Sequence, residues 1–251
     1  MRFLKVTLAY DGTDFFGWQL QHQQRSVQQV LEAALQKVTG ESLRVTAAGR
    51  TDAGVHALGQ VAGFSTAAEI APDAFCRALN ANLPDDVLVL SVAEAPQGFH
   101  ATRDALRKRY RYVIQDDKPT DLFSRRYAWQ LRHRLDEQLM ADAALALVGR
   151  HDFASFQGAG SPRKGTVRNV SELSVRRATG QGSERIVIEI EADGFLYNMV
   201  RNIVGTLEAV GAGKQPVSWI ADVLAAANRR VAGATAPPHG LFLVSVEYDG
   251  M

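Results

Sequence analysis

One short segment, AAGRTDAGVHALGQV (residues 47–61), concentrates the side chains that could do chemistry. It carries Arg50, Asp52 and His56 among three glycines, between two apolar stretches that we expect to be strands. Side chains two residues apart point the same way in an extended backbone, so Arg50 and Asp52 are expected to project together. A neighbouring guanidinium lowers the pKa of a carboxyl group. The segment therefore predicts a site built on an ionised aspartate.

The residue types leave several roles open for this aspartate. An ionised Asp52 could be a nucleophile, a general base, a metal ligand or only the ion-pair partner of Arg50. His56 could shuttle a proton, although packing in the core is the favoured interpretation for it. Gly49 and Gly54 allow a sharp turn and the close approach of a ligand to the backbone.

A second arginine has an unusual setting. Residues 195–207 predict a helix, and Arg201 lies beside its apolar face. The residues three and four positions away include no carboxylate, so Arg201 has no local ion-pair partner. We expect it either to face solvent or to bind a distant anion, for which Asp52 and an RNA phosphate are the candidates.

A basic stretch interleaved with aromatic residues follows the middle of the chain. Residues 101–134 contain ten Lys or Arg residues and four Asp residues, against a net charge of +1 for the whole chain. Within it, residues 107–115 alternate as a strand, with Tyr110 and Tyr112 on one face and Arg107, Arg109 and Arg111 on the other. This pattern is typical of a surface that stacks bases and tracks phosphates, and equally of a solvated charged face.

Other chemistry finds no support in the sequence. A single cysteine, Cys76, excludes an intramolecular disulfide and a cysteine zinc cluster, and the six histidines show no paired metal spacing. The stretch GAGK (residues 211–214) follows a helix rather than the strand that a phosphate loop requires. We expect neither a metal nor a nucleotide cofactor. The apolar runs are too short to cross a bilayer, and the first residues predict a strand and a turn rather than a signal peptide. We therefore expect a cytoplasmic protein.

The order of predicted elements indicates an α+β fold. The first half is predicted to contain strands at 3–10, 43–48, 60–66 and 86–93 and helices at 26–40 and 72–79. The second half is predicted to contain strands at 107–115, 166–176, 184–192 and 241–248 and helices at 135–148, 195–207 and 217–227. The first half has the β-α-β-β-α-β order of a ferredoxin-like fold, and the second half repeats that order with one further helix before its last strand, so we expect two ferredoxin-like halves. We expect the halves, 1–104 and 105–251, to join into one long antiparallel sheet with helices on one face and a catalytic cleft between them.

Six motifs, in order along nearly the whole chain, resemble the tRNA pseudouridine synthase A family. They are YDGTDFFGWQLQ, SVQQVLEAAL, GRTDAGVHALGQV, GFHATRDALRKRYRY, NMVRNIVG and TAPPHGLFLVSVEY. The resemblance implies an enzyme that isomerises uridine to pseudouridine in the anticodon arm of tRNA, after flipping the base out. It also implies that the enzyme is a homodimer without a cofactor, and that its partner is tRNA rather than DNA or a membrane.

The resemblance also assigns roles to individual residues. It implies that Asp52 is the catalytic aspartate, that Arg201 pairs with it, and that Tyr110 stacks on the target uracil. Arg50 matches the arginine that helps to hold the flipped nucleotide or its phosphate. One stretch departs from the family pattern of His-Ala-Arg followed by an aromatic residue, because this chain has His-Ala-Thr-Arg and its basic side chain, Arg103, is displaced by one position.

Two other functions compete with the isomerase. The first is a tRNA-binding module or folding chaperone in which Asp52 is only structural. The second is a metal-dependent nucleic-acid hydrolase that uses Asp52 as a ligand. Activity in the presence of a chelator and the effect of replacing Asp52 separate the three.

Overall fold

The computed structural model describes residues 1–116, 121–158, 160, 165–180 and 183–249. The chain divides into two compact units. The first comprises Met1–Leu106 together with Phe242–Met251, and the second comprises Arg107–Leu241. The last strand, which the sequence order assigns to the second half, therefore lies in the first unit.

The described residues form ten strands and five α-helices. The first part of the chain contains β1 (Arg2–Tyr10), α1 (Val27–Thr39), β2 (Thr46–Ala47), β3 (His56–Thr66), α2 (Pro72–Asn80) and β4 (Val87–Ala95). It continues with β5 (Ala105–Gln115), β6 (Trp129–Gln130), α3 (Glu137–Ala144), β7 (Gly149–Asp152), β8 (Val167–Gly180), β9 (Ser183–Ala192), α4 (Met199–Gly211), α5 (Trp219–Ala225) and β10 (Leu241–Tyr248). The predicted mixed α and β class and the order of the main elements are confirmed.

The sheet of the first unit has the strand order β4-β1-β3-β10. The β4-β1 and β1-β3 pairs are antiparallel, whereas β10 runs parallel to β3. Helix α1 begins and ends where its sequence predicts, because the Ser26 hydroxyl accepts the Gln29 amide and Gly40 takes the left-handed conformation with φ of 74°. The strand β3 begins four residues earlier than predicted, so it starts immediately after the loop that carries Asp52.

The sheet of the second unit has the order β5-β9-β8-β7, with every neighbouring pair antiparallel. Two short strands were not predicted: β6, which pairs with β5, and β7 at the edge of the sheet. Helix α4 begins four residues later than predicted, because Asn198 takes a left-handed conformation with φ of 59°. A helix cannot propagate through a residue in that conformation.

A buried ion pair ties β8 to the end of β5 in this unit. Arg177 donates to both carboxylate oxygens of Asp116, at 2.8 and 3.1 Å, and to Glu137 at 2.8 Å. The Asp116 side chain is fully buried and also accepts the Leu135 amide at 2.8 Å. Burial raises the pKa of Asp116, but the bonds from Arg177 and Leu135 outweigh it and leave the pKa below its usual value.

Replacing the cation of this pair is expected to destabilise the fold. Arg177→Met removes the cation that bonds both oxygens of the buried Asp116 carboxylate and leaves only the more distant Arg134, at 3.9 Å. The loss is expected to cost about 3 to 5 kcal/mol in the free energy of unfolding by urea at neutral pH. The depressed pKa of Asp116 contributes stability above its unfolded value of about 3.9, and that stability is lost as the pH falls through the folded value. The gap between wild type and variant should therefore narrow below about pH 4.

The neighbouring exposed arginine provides the control. Arg176→Met should change the unfolding free energy by less than about 0.5 kcal/mol, since the side chain is on the solvent side of β8. Equal stability of the two variants across the pH range would contradict the structural role given to the Asp116 pair.

Candidate active site

The loop that carries Asp52 is a tight turn in the first unit. The Val55 amide donates to the Asp52 carbonyl at 3.1 Å, and Gly54 takes φ of 76°, a conformation that glycine adopts without strain. Asp52 is half-buried and has an interaction partner, whereas Arg50 is exposed. Arg50 makes no ion pair with any residue that the structure describes, so the Arg50–Asp52 ion pair that the sequence left open is not formed.

A second segment of the first unit packs its backbone directly on this loop. The Trp18 amide donates to the Thr51 carbonyl at 3.0 Å, and the Gly54 amide donates to the Phe15 carbonyl at 3.3 Å. A Cβ atom at Gly17 would lie 2.5 Å from the Thr51 oxygen, and one at Gly12 would lie 2.0 Å from the Val55 oxygen. The motif YDGTDFFGW thus needs its two glycines to let the chain reach the Asp52 loop.

Not every glycine of the segment 47–61 serves ligand approach. Gly59 faces β10, where an added Cβ would lie 2.4 Å from the Val244 carbonyl oxygen. Its role is close packing of two neighbouring strands. Gly59 therefore serves strand packing rather than the approach of a ligand, the role expected for Gly49 and Gly54.

Three buried polar side chains hold the backbone on either side of Arg50. The Tyr10 hydroxyl lies 2.7 Å from the Thr51 hydroxyl, and Gln60 donates to the Gly49 carbonyl at 2.7 Å and to the Tyr10 hydroxyl at 3.4 Å. Burial raises the pKa of Tyr10 to about 12, although the hydrogen bonds with Thr51 and Gln60 oppose the rise. The phenol therefore keeps its proton at neutral pH. Sequence reasoning missed this network, although a glutamine within the apolar strand β3 was a signal.

His56 is buried beneath the loop. Its Nδ1 atom accepts the Gly12 amide at 3.0 Å, and its ring stacks on Phe242 with centroids 4.8 Å apart. Only 2% of the residue is exposed. These contacts are those of a packed histidine that supports the turn after β1.

Arg103 lies in a compact turn between β4 and β5. Its guanidinium donates to Asp104 at 2.8 Å and to the Gly98 carbonyl at 3.0 Å, while the Asp104 carboxylate accepts the His100 amide at 2.8 Å. The preceding Thr102 hydroxyl donates to the Ala47 carbonyl, at the foot of the Asp52 loop. Where the sequence departs from the family pattern, Thr102 thus forms a hydrogen bond to the Asp52 loop, and the displaced Arg103 is exposed.

Arg201 is half-buried in the second unit, on the first turn of α4. Its Nε donates to the Ala236 carbonyl at 2.7 Å and its Nη1 donates to the Asn198 side-chain oxygen at 3.0 Å. The Ala236 amide in turn donates to the Arg201 carbonyl at 3.1 Å. Arg201 also has an interaction beyond these. Two protein oxygens therefore fix the guanidinium, and neither carries a formal charge.

The two tyrosines of β5 are buried, as the predicted alternation requires. Tyr110 is 7% exposed and meets Phe195 edge to face, with centroids 4.9 Å apart. Tyr112 is fully buried and donates its hydroxyl to the Pro237 carbonyl at 2.7 Å. Burial raises the pKa of Tyr112 far above its usual value, while the charge of Arg201 acts against the rise.

The arginines on the other face of β5 form ion pairs with β8 and β9. Arg109 bonds Glu172 at 2.6 Å and Glu191 at 2.8 Å, and Arg111 bonds Glu189 at 2.7 Å. Arg107 lies 3.5 Å from Glu191. For these three residues the structure supports the charged-face interpretation, because each positive charge already has a carboxylate. Lys118, another cation of the basic stretch, lies outside the described residues.

No cluster of three or more His, Cys, Asp and Glu side chains in the described ranges could hold a metal ion. Within the same ranges, no helix has the length and apolar character needed to cross a membrane.

Comparison with known proteins points to one family. A family model described as tRNA pseudouridine synthase matches residues 7–102 and 143–249. Proteins named tRNA pseudouridine synthase A are similar to this chain over nearly its full length. That of Moorella thermoacetica is 48% identical over 247 residues, covering 98% of this chain and 99% of that protein.

Two further relatives with the same name agree. That of Halalkalibacterium halodurans is 45% identical over 242 residues, covering 96% of this chain and 90% of that protein. That of a Thermoanaerobacter species (strain X514) is 44% identical over 248 residues, covering 99% of this chain and all of that protein. The family model spans the Asp52 loop, its supporting segment and the Arg201 helix, so this chain belongs to the tRNA pseudouridine synthase family.

Proposed function

We propose that this protein isomerises uridine to pseudouridine in the anticodon stem-loop of tRNA. The observation that carries the proposal is the near full-length similarity to proteins named tRNA pseudouridine synthase A. The matched part of the chain contains Asp52, a half-buried aspartate on a loop held by buried hydrogen bonds. A rigidly positioned carboxylate is what chemistry at a ribose carbon requires.

The reaction rearranges one nucleotide without adding or removing atoms. The bond from the ribose C1′ to N1 of uracil breaks, the base rotates, and a bond from C1′ to C5 forms. The C5 proton leaves and N1 is protonated, so the electrons and atoms balance. Because there is no net oxidation or reduction, we propose that the enzyme uses no cofactor and no metal.

The target base has to leave its stack before the chemistry begins. Flipping a base out of a helix costs a few kcal/mol, which contacts in the flipped state have to offset. We propose that Tyr110 stacks on the uracil and that Arg50 binds the phosphate of the flipped nucleotide. The exposure of Arg50 and its lack of an ion pair among the described side chains support a role in binding phosphate.

Asp52 is proposed as the catalytic residue and Arg201 as the cation that keeps it ionised. A carboxylate in a dry site needs a compensating charge, because an unpaired buried charge is costly. The two neutral oxygens that hold Arg201 orient its guanidinium without cancelling its positive charge. Asp52 then acts by covalent attack or by proton abstraction and charge stabilisation.

The remaining assignments rest on the family resemblance. We propose that Arg103, which is exposed, contacts the RNA, and that the buried His56 contributes to substrate binding only by supporting the turn after β1. We also propose that the enzyme is a cytoplasmic homodimer whose partner is tRNA. Sedimentation at micromolar concentration tests the dimer directly.

Removing the charge of Asp52 should abolish the reaction. Asp52→Asn is expected to lower pseudouridine formation by at least about a thousandfold, because the carboxylate supplies the nucleophile or base. The affinity for tRNA should stay within about threefold of wild type, since the amide keeps the size of the side chain. Release of tritium from tRNA labelled at uridine C5 measures the reaction, and filter binding measures the affinity.

An exposed carboxylate of the same unit serves as the control. Asp85→Asn should react and bind as wild type, because Asp85 is exposed. Full activity of Asp52→Asn would remove Asp52 from catalysis. Loss of wild-type activity in EDTA would instead favour a metal-dependent enzyme, and binding without any turnover would favour an RNA-binding module.

For tRNA affinity, the aromatic face of the Tyr110 side chain is expected to matter more than the volume that the side chain fills. Tyr110→Phe keeps the aromatic face, so tRNA affinity is expected within about twofold of wild type. Tyr110→Leu fills the same core position without a π face and should weaken binding roughly tenfold, the size of one lost base stack. Thermal unfolding of both variants checks that the contact with Phe195 has not collapsed. Equal affinities for Phe and Leu would show that the ring only fills the core.

The buried Tyr10 hydroxyl is proposed to act as a positioning group for Asp52. Tyr10→Phe removes the bond to Thr51 and leaves a buried hydroxyl with fewer partners, at a cost of about 1 to 3 kcal/mol in unfolding free energy. Because the Asp52 loop is then held less firmly in position, kcat is expected to fall about tenfold or more while KM stays nearly constant. A stability loss with unchanged kcat would limit Tyr10 to folding.

A further inference from the structure

Residues 121–127 form an exposed turn in the second unit, called here the Phe123 turn. Phe123 is 86% exposed, more than any other large apolar residue after Met1 in the part of the chain that the structure describes, and the adjacent Leu122 is 63% exposed. A single exposed apolar residue is ordinary on a protein surface. Two adjacent ones on a turn, beside an exposed arginine, indicate a contact surface.

The turn is held in place from both sides. The Asp121 side chain accepts the Phe123 amide at 2.9 Å, and the Gln130 side chain donates to the Asp121 carbonyl at 2.6 Å. The buried Ser124 hydroxyl donates to the Gln115 side chain at 2.8 Å, which anchors the turn to the end of β5. The backbone beneath Phe123 is therefore already ordered, so a partner that stacks on the ring would pay little for ordering it.

Arg125 on the turn and Arg132 just after β6 differ from several other arginines of the basic stretch, which have carboxylate partners. The arginines of β5 bind carboxylates of β8 and β9, and Arg134 binds Glu184. In contrast, Arg125 and Arg132 are exposed and form no ion pair with any described residue. One Nη atom of Arg125 donates to the Leu122 carbonyl at 2.6 Å, and a guanidinium has five N–H donors in all.

We propose that the Phe123 turn is an RNA-contact surface, on which Phe123 stacks an unpaired base of the tRNA and Arg125 and Arg132 bind the adjoining phosphates. The proposal rests on the proposed function for the identity of the RNA. An aromatic face beside cations is the combination that single-stranded nucleic acid binds. A second copy of this chain is a poorer occupant, because a symmetric contact would bring like positive charges together.

Substitutions on the turn test the contact without threatening the fold. Phe123→Ala should raise the Kd for unmodified tRNA roughly tenfold, whereas Phe123→Tyr should leave it within about twofold. Phe123→Leu keeps an exposed apolar side chain and should behave like Ala. Arg125→Gln should weaken binding severalfold and lower the slope of log Kd against log salt concentration by about one. Fluorescence anisotropy with full-length tRNA measures each Kd.

Arg44→Gln provides the matched control for charge. Arg44 is exposed but pairs with Glu32 at 3.2 Å in the first unit, so its replacement should change neither Kd nor salt slope. Wild-type Kd and slope in Phe123→Ala and Arg125→Gln would overturn the proposal. A loss of affinity that follows a shift from dimer to monomer in sedimentation would also overturn it, in favour of a second copy as the occupant.

Turnover separates this inference from the proposed function. With tRNA at saturating concentration, the Phe123 and Arg125 variants should form pseudouridine at the wild-type kcat, because the turn contributes binding rather than chemistry. If wild type formed no pseudouridine but bound tRNA in a manner sensitive to Phe123, the proposed function would fail and the contact surface would stand. If wild type formed pseudouridine but substitutions on the turn left the Kd for tRNA unchanged, the proposed function would stand and the contact surface would fail.

Discussion

The arrangement of the site depends on one constraint: buried polar groups must be hydrogen-bonded. The Asp52 loop is anchored because the hydroxyls of Tyr10 and Thr51 satisfy each other away from water, and Gln60 completes the set by binding the Gly49 carbonyl. Moving the loop would break bonds that water could not replace. These hydrogen bonds therefore hold the surface loop, and with it the Asp52 carboxylate, in a fixed position.

The second unit positions Arg201 by the same principle. Two neutral oxygens, from Ala236 and Asn198, receive its N–H groups. The segment around Ala236 is itself pressed against α4, since a Cβ at Gly205 would lie 1.7 Å from the Ala234 oxygen. Neutral acceptors orient a guanidinium without neutralising its charge. The left-handed Asn198 that delays the start of α4 is therefore part of how Arg201 is held.

The charges of the basic stretch divide into two groups with different roles. Those on β5 are paired across the sheet with Glu172, Glu189 and Glu191, where they stabilise the association of strands. Arg125 and Arg132, like Arg50 on the Asp52 loop, have no carboxylate partner among the described residues. A net charge counted along the sequence cannot make this distinction, because pairing depends on which strands are neighbours.

Local patterns were sufficient for much of the molecule. The period of the apolar residues and the capping residues Ser26 and Gly40 predicted α1 to within a residue, and the two-residue alternation predicted the buried face of β5. The family motifs predicted the functional class. These features are readable because they depend on residues close together in the chain.

Contacts between distant residues could be decided only by the tertiary structure. The bond from Tyr10 to Thr51 spans 41 positions, and the pairing of β10 with β3 moved the last strand into the first unit. Arg50 and Asp52 are two residues apart, yet the ion pair that the sequence left open does not form, whereas Asp116 and Arg177 pair across 61 positions. Sequence shows which groups must be satisfied or charged, and the packing of strands determines which partner each of them meets.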